Sequence, residues 1–278
     1  MNLIAHRFGN AAKTYDTHAV FQQEIAKRLL DRLNWFKINP KLILDIGSGT
    51  GLITQQLKQR YPHAEIIGVD FAHKMNLYAL NAYKKKWWQS ARHHFITGDA
   101  HLLPFKPHQF DLVISNCALQ WCNPVTFFQE VKKSLKPEGL FLFATLGPDT
   151  LAELRQSFLT INRPYQVHPF IDMHHLGDRL NHSGLIDAVM DRENLQFTYT
   201  SLMQLCQDLK QTGANNIHSE RARNLMTRNQ WQQVEKYYLQ NFESENKQLR
   251  ATIEVIYGHA FHPKRIPTHI KAHNEKAP

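Results

Sequence analysis

Leu42-Ile43-Leu44-Asp45-Ile46-Gly47-Ser48-Gly49-Thr50-Gly51 joins a short apolar run to three glycines at alternate positions. A run that is apolar apart from Asp45 reads as a strand covered on both faces, because a strand with one wet face would alternate apolar and polar residues. The glycines stop it. Helical spacing resumes from Leu52 to Arg60, and Pro62 closes it. Glycines between a strand and a helix let the backbone approach a ligand closely, and they leave amide N–H groups exposed at the helix N-terminus. Outward from this turn the rhythm repeats. Strands are expected at Glu65–Asp70, His93–Thr97, Phe110–Ser115 and Leu140–Thr145, with helices at Met75–Lys85 and Phe127–Leu135 between them. Such alternation predicts an α/β fold with a doubly wound, mostly parallel sheet and helices on both faces.

Upstream, Val20, Phe21, Ile25, Leu29, Leu30 and Leu33 form one apolar stripe at helical period, and Pro40 ends the linker after it, so residues 1–40 read as an N-terminal helical segment. Downstream of Thr145 the rhythm changes. Helices are expected at Asp149–Phe158, Asp172–His182, Ser201–Lys210 and Gln230–Asn241, with a loop bracketed by Pro164 and Pro169. Gly184 is the expected stop of the second of these helices. An edge strand is expected at Asp187–Met190, continued through Gln196–Tyr199, and a late strand at Thr252–Tyr257. The main domain is thus 41–261, with insertions at 149–184 and 200–245, and 262–278 reads as a polar, flexible tail.

The spacing of the turn is G-x-G-x-G, whereas dinucleotide sites favour G-x-G-x-x-G. Asp45, two positions ahead of Gly47, can hold an ammonium group, which S-adenosyl-L-methionine has and NAD lacks. Asp70 ends the second strand, where an acid accepts from both ribose hydroxyls. Asp99 follows the third strand, placed for an adenine amino group, and Phe71, Met75 and Ala100 are fit to sandwich the ring. One strand-end Asp is ordinarily a cap or turn residue. Three at the ends of successive strands beside a glycine turn point to a ligand crevice. Gly47, Ser48, Gly49, Gly51 and Asn116 complete the expected cofactor set.

These residues resemble the class I S-adenosylmethionine-dependent methyltransferases over about residues 40–145. The resemblance implies a seven-stranded Rossmann-like sheet with a final antiparallel strand, for which Thr252–Tyr257 is the candidate, and helical lid insertions.

The fourth strand runs into Ser115-Asn116-Cys117-Ala118-Leu119-Gln120-Trp121, which lacks the Asn/Asp-Pro-Pro-Tyr tetrad of amide-methylating enzymes and any obvious general base. That suits an acceptor already ionised at neutral pH, such as a carboxylate with a pKa near ~4. Further segments resemble the BioC family, malonyl-acyl-carrier-protein O-methyltransferases of biotin synthesis. They are His6–Asp16, Thr145–Arg155, Phe170–His174, Asp208–Lys210 with Gly213–Asn216, and Glu254–Ala260. The resemblance implies methylation of the free carboxyl of a malonyl thioester, with S-adenosyl-L-homocysteine as the other product. It also implies an acidic partner, acyl carrier protein, or else coenzyme A as the thioester carrier. The net charge of +9 suits an acidic partner and equally suits plain solubility. A malonate carboxylate calls for a cation, and Arg155 is the expected one, with a solvated surface arginine as the alternative. Tyr15 and Gln22 are expected to fold over the cofactor, and the resemblance implies that Tyr15 contacts its carboxylate end. Gln120 and Trp121 are expected to wall the transfer site, although Trp121 also fits plain core.

Other classes are set aside. No apolar run approaches the ~20 residues of a membrane span, and Met1–Arg7 lacks a signal-peptide core, so the cytoplasm is the expected compartment. Three cysteines make a poor disulfide framework. No aromatic-interleaved basic stripe suggests nucleic acid. Lys84-Lys85-Lys86-Trp87-Trp88 reads as a solvated helix end with packed tryptophan rather than a docking patch. The pairs His93-His94 and His174-His175 point to opposite faces, and Cys117 and Cys122 lack zinc spacing, so no metal is expected. Two alternatives remain: an arginine hydroxylase or respiratory-complex assembly factor of the same fold, and a methyltransferase of a small free carboxylic acid.

Overall fold

A computed structural model describes residues 2–83, 93–163, 166–213 and 224–264. Seven strands form one sheet: β1 (Leu42–Ile46), β2 (Glu65–Asp70), β3 (His93–Thr97), β4 (Phe110–Asn116), β5 (Leu135–Leu146), β6 (Ile186–Tyr199) and β7 (Leu249–Phe261). Their order is β3-β2-β1-β4-β5-β7-β6. β1 to β5 pair in parallel, and β7 runs antiparallel to both of its neighbours. The chain leaves β1 toward β2 on one side and enters β4 on the other, so the winding direction switches between β1 and β4. Open sheets of this kind bind ligands outside the strand ends at that switch point.

Both faces of the sheet are covered. Ile43, Leu112, Ile114, Leu140 and Leu142 belong to one apolar cluster, while Leu44, Val113, Phe141 and Phe143 belong to the other. Neighbours in sequence fall in opposite clusters because successive strand side chains point to opposite faces. The first cluster is closed by α3 (Val20–Arg32), α4 (Leu52–Arg60), α7 (Ala152–Leu159), α9 (Leu202–Gln211) and α10 (Arg228–Phe242). The second is closed by α6 (Pro124–Ser134) and α8 (Met173–His182), with Phe127 and Phe128 against Phe141. Among the described residues the other α-helices are α1 (Asn2–Ala11), α2 (Tyr15–His18) and α5 (His73–Ala82), and Leu33–Trp35 and Leu119–Trp121 form single 3-10 turns.

Element boundaries differ from expectation where capping decides them. α6 begins at Pro124 because the Asn123 side chain accepts from the amides of Val125 and Thr126, and proline suits the first turn. Thr227 and Gln230 form a capping box, which starts α10 at Arg228. The edge strand is continuous from Ile186, with an irregular register between Ile186 and Val189. His262, expected at the start of the tail, packs on the domain. It is buried, donates its amide to the Gly139 carbonyl and accepts from the Glu138 amide. The segments expected as insertions carry α7 and α8, and α9 and α10, whose apolar faces are part of the core. Pro164, Lys84–Trp88, residues 214–216 and the tail from 265 lie outside the described residues.

Candidate active site

At the C-terminal end of β1 the glycine turn is shaped by its backbone. Gly47, Gly49 and Gly51 have φ of +75°, +53° and +86°, values that side chains rarely tolerate. The amides of Gly47 and Ser48 donate to the Val69 carbonyl at 2.8 and 3.2 Å, pinning the turn to β2. A Cβ on Gly47 would lie 2.3 Å from the Ala118 Cβ, whereas one on Gly49 would meet open space. The turn faces a cavity of about 740 Å³ lined by Gly47, Gly49, Asp70, Phe71, Met75, Asp99, Ala100, Asn116, Tyr15 and Trp121. Ile4 and Phe8, one helical turn apart on α1, form part of its wall. Phe8 sets its ring edge-on to Phe71 and Trp121, with centroids 6.1 and 5.6 Å away.

A polar cup of about 420 Å³ adjoins it, lined by Asp45, Ser48, Gly49, Thr50, Gln22 and Asn116 among others. Asp45 is buried and accepts from the Thr54 hydroxyl at 2.7 Å. Burial pushes its carboxyl up to about 7, and the Thr54 bond only partly offsets this. Asp70 accepts from the amides of Gly49 and Ala72 at 3.0 and 2.8 Å, yet burial still raises it to about 6. Asp99 accepts from the amide of His101 and bonds its ring at 2.7 Å. Asp16 on α2 accepts from the Thr50 hydroxyl at 2.6 Å, so the N-terminal segment is tied directly to the glycine turn. Tyr15, beside it, has its phenol pushed up by burial and then by Cys117, Asp70 and Asp16, and so stays neutral.

A second cavity, of about 950 Å³, shares Phe8, Tyr15, Cys117 and Trp121 with the first. Gln120, Leu146, Leu151, Leu154, Phe158, His168 and Phe170 contribute to the remainder of its wall. Gln120 accepts from the Thr145 hydroxyl at 3.0 Å. Burial raises the Cys117 thiol to about 12, so it stays protonated beside both cavities. Arg155 sits otherwise than expected. Its guanidinium donates to the carbonyls of Pro148 and Thr150 at 2.7 and 3.1 Å, and it does not line this cavity. Leu154 and Phe158 of the same helix face the cavity, while Arg155 is turned to the carbonyls of the loop after β5.

The family described as a methyltransferase domain matches residues 44–143. Malonyl-acyl-carrier-protein O-methyltransferase 1 of Coxiella burnetii is 42% identical over 94% of this chain and 87% of its own length. The malonyl-acyl-carrier-protein O-methyltransferase of Gallionella capsiferriformans is 40% identical over 92% of this chain and 89% of its own length. The chain belongs to this O-methyltransferase family. Among solved structures, the Bacillus YcgJ protein superposes with a TM-score of 0.60 at 17% identity, covering 85% of this chain and 98% of that one. Haemonchus contortus phosphoethanolamine N-methyltransferase 2, solved with S-adenosyl-L-methionine, has a TM-score of 0.53 at 19% identity, covering 86% of this chain and 53% of that one. Those two likenesses are of fold.

Membership makes the chain an S-adenosylmethionine-dependent methyltransferase. Its residues fit that cofactor. Gln22 Oε1 and Ser48 Oγ, both in the polar cup, are buried without a hydrogen-bond partner, and the neighbouring Asp45 is buried without a cation. An aminocarboxylate end supplies the missing donors and charge. Phe8 and His168 are among the residues of this site that escaped the sequence reading. Phe8 is signalled by its one-turn spacing from Ile4. His168 has no sequence signal, since it lies in an irregular stretch between α7 and α8. Among the described residues no cluster of three or more His, Cys, Asp or Glu is arranged to hold a metal, and no helix is long and apolar enough to cross a membrane.

Proposed function

We propose that this enzyme transfers a methyl group from S-adenosyl-L-methionine to the free carboxyl of a malonyl group carried on acyl carrier protein, an early step of biotin synthesis in the cytoplasm. The observation that carries the reading is family identity across nearly the whole chain, since the acceptor-side segments match along with the cofactor half. Two cavities meeting at Tyr15, Cys117 and Trp121 supply the architecture the reaction needs, one chamber for the donor and one for the acceptor.

Asp45 with Gln22 and Ser48 receives the ammonium and carboxylate end, helped by Tyr15 and Asn116. Asp70 accepts from the ribose hydroxyls, Asp99 from the adenine amine, and Phe71, Met75 and Ala100 enclose the ring beside Gly47 and Gly49, whereas Gly51, expected in this set, lines neither chamber and backs onto Phe95 and Tyr83. The cofactor supplies an electrophilic methyl on a sulfonium, which a carboxylate oxygen takes up to give a methyl ester and S-adenosyl-L-homocysteine. No proton has to be removed from an ionised acceptor, so the protein's part is alignment and exclusion of water. Trp121, Gln120 and the aromatic face of Phe8 do both by walling the junction. Arg155 supports the 148–150 turn, whose Thr150 lines the acceptor chamber, through its two carbonyl bonds.

Incubation with methyl-labelled cofactor and malonyl-acyl carrier protein is expected to yield label as a base-labile ester on the carrier. Unlabelled carrier together with oxygen gained on a protein arginine would replace this reading with the hydroxylase one. Label appearing on free short diacids in preference to the carrier would favour the small-acid alternative.

A further inference from the structure

The acceptor chamber raises an electrostatic problem that the cofactor half does not solve. Its described wall is largely apolar and contains no Asp, Glu, Lys or Arg. A carboxylate brought into such surroundings is driven toward its neutral form, and a neutral acid is a poor nucleophile. Some wall group must therefore favour the anion without removing its reactivity. Among the described lining residues, His168 alone can carry a positive charge. Its ring lies 5.0 Å from that of Trp121, tilted by 31°, and 5.3 Å from Phe170, edge-on. Trp121 lines both chambers, so this contact sets the imidazole beside the junction where transfer occurs. The neighbouring Val167 is buried and anchors the segment on one side.

We propose that His168 is the acceptor-carboxylate residue of this enzyme, donating a ring N–H to the oxygen that does not attack. Imidazole suits the task. A guanidinium fork would engage both carboxylate oxygens and compete for the attacking lone pair, whereas a single ring N–H holds one and leaves the other free. Arg155, the cation nearest in sequence expectation, already spends two donors on Pro148 and Thr150. The assignment rests on the malonyl reading above.

The test uses the full-length enzyme with His168→Phe, which keeps a ring against Trp121 and Phe170, and His168→Asn and His168→Gln, which restore a donor at the two ring-nitrogen positions. Circular dichroism and cofactor affinity are measured first and are expected to match the wild type. With malonyl-acyl carrier protein, kcat/KM of His168→Phe is expected to fall roughly 10- to 100-fold, the range for losing a hydrogen bond to a charged group. One of the two amide variants is expected to recover at least part of it. Inhibition by butyryl-acyl carrier protein, which lacks the charge, is expected to be unchanged. Parallel loss of malonyl use and butyryl binding would overturn the proposal in favour of a packing role, and so would a His168→Phe enzyme within threefold of wild type. If the wild-type enzyme itself gives no ester with malonyl-acyl carrier protein, the malonyl reading fails first, and the assignment of His168 falls with it.

Discussion

The two chambers that meet at Trp121 are built in different ways. The cofactor chamber is assembled by backbone. Three glycines with positive φ, the ends of β1, β2 and β3, and acids placed at those ends lie within residues 45–100. The acceptor chamber is assembled by side chains drawn from distant segments, running from Phe8 through Gln120 and His168 to Ile253. A site built on backbone tolerates little change at its glycines, and here Ile4, Phe8, Tyr15 and Trp121 only close it over. One built from side chains depends on how helices α3, α7 and α9 settle on the sheet, and it can change its acceptor without disturbing the donor side.

The sharpest way to break this contrast is Gly47→Ala. The new Cβ would lie 2.3 Å from Ala118 Cβ at a φ of +75°, so the turn must shift. Cofactor affinity measured by calorimetry is expected to drop roughly 100-fold, about 2.7 kcal/mol. A change under threefold would mean that the turn is not what seats the cofactor.

A smaller effect comes from protonation. Desolvation raises Asp45 to about 7 and Asp70 to about 6 in the ligand-free protein. Both groups bind protons more readily folded than unfolded, so they cost stability as pH rises from the unfolded value near ~4 through the folded values. A bound ammonium reverses the preference and favours the carboxylates. Cofactor affinity is therefore expected to rise between pH 5.5 and 8, up to roughly tenfold per unit below Asp45's folded value. Asp45→Asn should bind more weakly and lose the part of the rise centred near pH 7. A pH-independent wild type would place the ammonium elsewhere.

The smallest expected effect sharpens the acceptor side. Arg155→Ala removes two donors from the 148–150 turn. It is expected to lower stability by about 1 kcal/mol, a Tm drop of roughly 2–4 °C for a chain of this size. The malonyl KM should change less than threefold and cofactor affinity not at all. A tenfold rise in that KM would return the acceptor carboxylate to Arg155.

The gathering of the cofactor-side residues at one cavity and its adjoining cup was legible because their placement is local. Asp45, Gly47, Gly49 and Gly51 span seven consecutive positions of a strand and turn, while Asp70 ends β2 and Asp99 follows β3 at the same edge. The edge strand was legible as two runs of one longer strand, and the core of β7 as a late strand whose antiparallel sense came from the family resemblance. Local signals that went unread were the Asn123 cap and the Thr227–Gln230 capping box, which moved two helix starts.

The sequence alone determined the doubly wound sheet, the glycine turn and the three acids at its rim, since strand periodicity and left-handed backbone are written in neighbouring residues. Family resemblance in the flanking segments supplied the acceptor class. Only the tertiary structure decided that Arg155 turns to its own loop, that Phe8 folds back over the turn, and that His168 stands beside Trp121. These depend on packing between separate segments of the chain, Phe8 and His168 each against Trp121, or on which carbonyls a long flexible side chain meets, and the Ile4–Phe8 spacing alone hints at the first.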